Sequence, residues 1–153
     1  LATVEHWLGS AIQGIRRLSD LARVDLAAAL LAALPWDARS ALDRMAPTHV
    51  EVPSGSRIGI DYSDPAAPVL AVRLQEVFGL TETPRVGDGA VALTLHLLSP
   101  AHRPVQVTRD LASFWRTTYF DVRRDLKGRY PRHPWPDDPL AAPATRRAKP
   151  RSR

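Results

Sequence analysis

The stretch THVEVPSGSRIGIDY, Thr48 to Tyr62, decides the fold class, because within it the apolar period changes from 3.6 to 2. Val50 and Val52 alternate with His49 and Glu51. After the turn Pro53-Ser54-Gly55-Ser56, Ile58, Ile60 and Tyr62 alternate with Arg57, Gly59 and Asp61. Side chains two apart on an extended chain share a face, so each run offers one apolar side to a core. Downstream, Ser63-Asp64-Pro65 turns the chain into Val69–Leu74, with Leu70, Val72 and Leu74 inward. Gln75–Leu80 then predicts one or two helical turns closed by Gly79. Val91, Leu93, Leu95 and Leu97 predict one long strand, and Val105 and Val107 a fifth short one after the corner Pro100–Pro104. Three strands, a short helix and two strands is the element order of an OB-fold, a five-stranded, partly open barrel. An SH3-like or other small barrel gives a similar order.

Upstream, residues 1–46 predict three helices. Val4, Trp7, Leu8, Ala11, Ile12 and Ile15 form one apolar stripe with Thr3 as N-cap. Leu21–Leu34 follows, with Asp25 marking a break or a later start. Pro35 suits the first turn of a third helix, which Pro47 stops. Downstream of the strands, Thr108 caps a helix running to Lys127, with Leu111, Phe114, Trp115, Tyr119, Val122 and Leu126 on its apolar face and Gly128 as its C-cap. Six prolines in residues 130–153 predict an extended tail with a disordered far end. The expected fold is therefore α+β. N-terminal helices (1–46) precede a small five-stranded OB-like β-barrel with a C-terminal amphipathic helix (47–128), and an extended, basic Pro/Arg-rich tail (129–153) follows.

The whole chain has 153 residues, 44% of them hydrophobic, enough for one packed core. Its charge is uneven. Residues 1–120 carry eleven basic and twelve acidic side chains, whereas 121–153 carry ten basic and four acidic. Only Lys127 and Lys149 are lysine, an arginine bias that makes arginine alone weak evidence of function. With no cysteine there is no disulfide framework, thiol catalysis or cysteine-ligated metal. The longest strongly apolar run, Leu26–Leu34, is far short of the roughly 20 residues a membrane-spanning helix needs, and a cytoplasmic protein is expected. The sequence lacks an initiator Met and begins within a helical pattern, so it reads as a piece of a longer protein.

Catalytic and nucleotide-binding patterns are missing. There is no G-x-x-x-x-G-K-[ST], no G-x-S-x-G and no pair of histidines four apart. Pro53–Ser56 lies between two strands and lacks the lysine of a phosphate loop. Asp137-Asp138 sits in the tail with nothing to desolvate it, and general acid–base work needs a shifted pKa in a held geometry. No catalytic residue, metal ligand or cofactor is assigned. Binding remains. Arg116, Arg123 and Lys127 share one face of the last helix, flanked by Arg124 and Arg129. The tail adds Arg132, Trp135, Arg146, Arg147 and Lys149, with Arg151 and Arg153 beyond. Cations neutralise phosphates and an aromatic among them stacks a base. The plainer alternatives are a solvated helix face and, for Trp135, a hook that pins the tail. Arg57 and Arg73 stand on the outward phase of the second and third strands, where an OB-fold binds its ligand.

Taken together, several runs carry a resemblance. They are Ala46–His49, Val52–Arg57, Ile60–Tyr62, Val69–Glu76, Phe78–Leu80, Leu95–Ala101, Arg103–Thr108, Asp110-Leu111 and Phe114-Trp115. Closing them is Gly128–Pro139, GRYPRHPWPDDP. They resemble the C-terminal region of the bacterial HrpB-type ATP-dependent helicases, relatives of the DEAH-box RNA helicases, over essentially the whole chain. The resemblance implies a parent with two RecA-like motor domains, a winged helix and a helical bundle upstream. The ATP- and magnesium-binding motifs would lie there, and none stands in this sequence. It also implies an OB-like domain beside the RNA path. The expected role is an accessory module holding single-stranded RNA near those upstream domains by backbone electrostatics. The alternative is a protein-docking module.

Overall fold

The computed structural model describes residues 8, 9 and 11–147. Of the expected first helix, Thr3, Val4 and Trp7 lie outside them, as do Lys149, Arg151 and Arg153; Leu8, Gly9 and Ala11 are helical, and the chain turns over residues 12–14, with Gly14 at φ 89°. The chain divides into two compact units, Leu1–Asp43 and Arg44–Arg153.

In the first unit, Asp25 marks the later helix start expected of it. Its carboxylate accepts a hydrogen bond from the Ala28 amide at 2.9 Å, so α1 (Leu18–Leu21) ends and α2 (Leu26–Ala33) begins on an N-cap. α3 spans Trp36–Met45, immediately after Pro35.

The second unit is built on a five-stranded sheet. Its strands are β1 (His49–Glu51), β2 (Arg57–Asp61), β3 (Val69–Arg73), β6 (Thr94–Leu98) and β7 (Pro104–Thr108), side by side in that order. β3 and β6 are parallel and the other neighbours antiparallel. Between them in sequence come a short 3-10 turn, Leu74–Glu76, and a separate two-stranded hairpin, β4 (Arg85–Val86) with β5 (Val91–Ala92). The expected long strand from Val91 is thus two pieces, because Leu93 leaves the sheet to bond the Pro84 carbonyl at 3.0 Å. Of the expected partly open OB-like barrel, the structure has the five-stranded sheet, open between its edges β1 and β7, and no closed barrel is formed. Closure needs the two edge strands to tilt and stagger until they pair, and β1 and β7 do not pair with each other.

Helices supply the covering layer instead. Leu70 lies opposite Leu95 and Val72 opposite Leu97, all fully or nearly fully buried. They share one core with Phe78, Leu111, Phe114, Trp115, Tyr119 and Leu126. Phe78, Phe114, Trp115 and Tyr119 form an aromatic cluster with ring centroids 5.0 to 6.3 Å apart, in tilted and edge-to-face pairs.

The C-terminal helix differs from its expectation in three ways. It is two helices, α4 (Leu111–Arg116) and α5 (Tyr119–Arg129). The break falls at Thr117, whose hydroxyl bonds the Ser113 carbonyl at 2.8 Å. Asp110, not Thr108, is the N-cap, accepting from the Ser113 amide at 2.8 Å. Gly128 lies inside α5, without the positive φ of a C-cap glycine.

The tail is ordered as far as it is described. Trp135 is buried and donates Nε1–H to the Tyr130 carbonyl at 2.8 Å, and Tyr119 donates its hydroxyl to Pro136 O at 2.8 Å. Further on, Pro139 O accepts from the Gly79 amide, and the Thr145 amide donates to Gln75 O. Proline removes amide donors but leaves carbonyls, and here those carbonyls and a few side chains tie the strap down.

Candidate functional site

The cations singled out from the sequence divide into those that hold the fold and those that stay exposed. Arg73 belongs to the first kind. Its Nε donates to Glu76 Oε1 at 2.6 Å, and the Glu76 side chain is only 4% exposed. The same carboxylate accepts from the Ser54 hydroxyl at 3.0 Å and from the Ser56 hydroxyl. Burial pushes the Glu76 carboxyl up. The bonds from Ser56, Arg73 and Ser54, with the Arg73 charge, outweigh it and hold the group below its ordinary value. Arg73 therefore neutralises a buried acid.

Arg146 is also engaged. Its Nε and Nη2 donate to the carbonyls of Ser54 (3.2 Å) and Gly55 (2.7 Å), clamping the tail onto the β1–β2 turn. Gly55 has φ 74°, and a Cβ there would lie 3.1 Å from Arg146 Nη2, so both backbone and clamp favour glycine. The hydroxyls of this turn serve Glu76 and its carbonyls serve Arg146. It is a hairpin turn and does not fit a nucleotide phosphate.

Arg123 and Trp135 complete this group. Arg123 donates from Nε to Trp135 O at 3.0 Å and from Nη2 to Asp137 Oδ1 at 2.5 Å. Trp135, 8% exposed, is the hook and offers no face to a base. His133 Nδ1 lies 2.7 Å from Gln75 Oε1, as the donor of that bond. Burial, then the charges of Arg73 and Arg132, push its imidazole below the ordinary histidine value.

The exposed cations are Arg57, Arg116, Arg124, Lys127, Arg129, Arg132 and Arg147. Arg57 stands opposite Glu51 across β1–β2. Arg124 pairs with Asp121 at 2.5 Å, but both side chains are more than two-thirds exposed, so the pair is weak and exchangeable. Arg124, Lys127 and Gly128 line an open concavity of ≈ 500 Å³ together with Arg123 and Phe120. Arg116 lines a neighbouring one with Trp115, Phe120, Asp137, Asp138 and Leu140. Arg129 faces a third, with Pro104, Val105 and Leu126.

Phe120 was not among the residues expected at the site, yet it borders two of these concavities and is 48% exposed. The signal was present in the sequence: Phe120 is the one aromatic of the C-terminal helices that stands off their apolar stripe. Among the described residues, no group of three His, Cys, Asp or Glu is placed to hold a metal ion. Nor is any described helix long and apolar enough to cross a membrane.

Comparison with known proteins agrees with this architecture. The family model described as ATP-dependent helicase C-terminal matches residues 7–139. The ATP-dependent RNA helicase HrpB of Escherichia coli (strain K12) is 47% identical over 149 residues, 97% of this chain but 18% of that protein. A crystal structure of the E. coli DExH-box NTPase HrpB superposes with a TM-score of 0.86 at 46% identity, covering 96% of this chain and 18% of the other. A second, of the E. coli DEAH/RHA helicase HrpB, gives 0.68 at 43% identity, covering 88% and 17%. This chain thus spans less than a fifth of its relatives' length, and it belongs to the ATP-dependent helicase C-terminal family of HrpB.

Proposed function

We propose that this chain is the accessory C-terminal part of an ATP-dependent RNA helicase and that it contacts single-stranded RNA through backbone electrostatics. The sheet is taken as an OB-like arrangement left open, since its three-strand meander, short 3-10 turn and returning strands keep that element order. ATP and Mg²⁺ are assigned to upstream motor domains, as the family resemblance implies; among the described residues, the Gly-containing turn Pro53–Ser56 is engaged by Arg146 and Glu76. A single observation carries the reading. Arg116, Arg124 and Lys127 are exposed on α4 and α5, next to open concavities; of the three, Arg124 is paired only with the exposed Asp121, whereas Arg73, Arg123 and Arg146 are spent on the fold. The docking alternative keeps one point in its favour, Val107, which is 52% exposed on the edge strand β7.

The test is fluorescence anisotropy of labelled single-stranded RNA against salt. Each phosphate contact contributes roughly −0.7 to the slope of log K against log salt on a single strand. Arg116, Arg124 and Lys127 together give an expected slope near −2, and Lys127→Ala lowers its magnitude by about 0.7. A flat response, or no binding at low salt, turns the assignment to protein docking.

A further inference from the structure

The geometry points to Phe120 as a stacking platform for one unpaired base, with Arg124 and Lys127 taking the adjoining phosphates; this rests on the RNA reading above. The ring is half exposed on a helix surface between two concavities, one walled by Arg123, Arg124 and Lys127 and the other by Arg116 beside the carboxylates Asp137 and Asp138, so the phosphate-binding side is the first. Phe120, Arg124 and Lys127 are four and seven residues apart on α5, on one face of the helix. An aromatic ring between exposed cations matches an unstacked nucleotide, a π-face beside an anion. It matches a duplex poorly, because there the bases are already stacked.

The ring is also pre-positioned. It meets Tyr119 edge-to-face with centroids 5.6 Å apart. Tyr119 is fully buried and fixed by its bond to Pro136 O. One neighbour of the platform is therefore locked, which lowers the entropy lost when a base lands.

The experiment compares two probes on the whole chain: a short oligouridylate and a ribose-phosphate strand of equal length without bases. The wild type should prefer the base-bearing strand by about 5- to 160-fold, the range for one aromatic stack. Phe120→Leu should remove that preference while leaving affinity for the abasic strand and the salt slope unchanged, and Phe120→Trp should retain it. Because Phe120 is half exposed, the leucine opens no core cavity, and unchanged abasic binding confirms a folded variant. If the wild type binds both strands alike with a steep salt response, stacking is overturned and the electrostatic reading stands. If it binds neither, both readings fall. A Phe120→Leu chain that keeps the base preference places the stack elsewhere and overturns the assignment.

Discussion

Identical side chains do different work here according to what they touch. Arg73, Arg123 and Arg146 point their donors at a buried carboxylate, a tail carbonyl and a turn, whereas Lys127 is exposed and Arg124 is held only by an exposed pair with Asp121. An arginine that neutralises a buried acid cannot release it for a phosphate without stranding that charge, a cost of several kcal/mol. Trp135 shows the same division among aromatics. Its indole is buried and its N–H is bonded to Tyr130 O. Replacing it with alanine should cost about 3 to 5 kcal/mol, by loss of buried area and the cavity left behind. Urea denaturation measures that loss. RNA affinity of the still-folded fraction should not change, which separates a hook from a base-stacking residue.

At the scale of elements, the C-terminal helices show how local chemistry divides a continuous apolar pattern. The stripe from Leu111 to Leu126 runs on through residues 117 and 118, yet two adjacent threonines break the backbone there, one by bonding back to Ser113. Gly128 offers a direct check of where α5 ends. It is helical, and a Cβ placed on it meets nothing within 4 Å. Gly128→Ala should therefore stabilise the chain by about 0.5 kcal/mol, read as a raised urea midpoint, through helix propensity alone. A left-handed C-cap glycine would give the opposite sign. The β1–β2 turn behaves differently: its residues are fixed by Glu76, twenty positions downstream, and by Arg146, some ninety positions on.

For the molecule as a whole, the tail acts as a strap over the segment Gln75–Gly79, and one of its fastenings titrates. In the folded state His133 is held below its ordinary pKa of about 6.5 by burial and by the Arg73 and Arg132 charges, while in the unfolded chain it returns to that value. Between the two values the unfolded chain binds more protons, so stability is full above about pH 6.5 and declines as pH falls. The urea midpoint should drop between about pH 7 and pH 5, and His133→Asn, which keeps an amide donor for Gln75 but does not titrate, should flatten that drop. Glu76 has the same sign at lower pH: its depressed carboxyl adds stability above the carboxylate range, and that contribution goes as the acid protonates.

Much of this protein follows from its sequence. Alternation at Val50–Val52, Ile58–Ile60 and Leu70–Val72 places three strands, because inward and outward phases are local properties of an extended chain. The missing catalytic motifs and the run GRYPRHPWPDDP are legible in the same way, and the latter carries the family. Other features needed the tertiary structure. Whether the sheet closes depends on how β1 and β7 meet, and whether a proline-rich tail is loose depends on what its carbonyls reach. The candidate site changed most. Arginines are alike as letters, and only their partners, brought from as far as ninety residues away, decide which guanidinium is spent on the fold and which is left for a ligand.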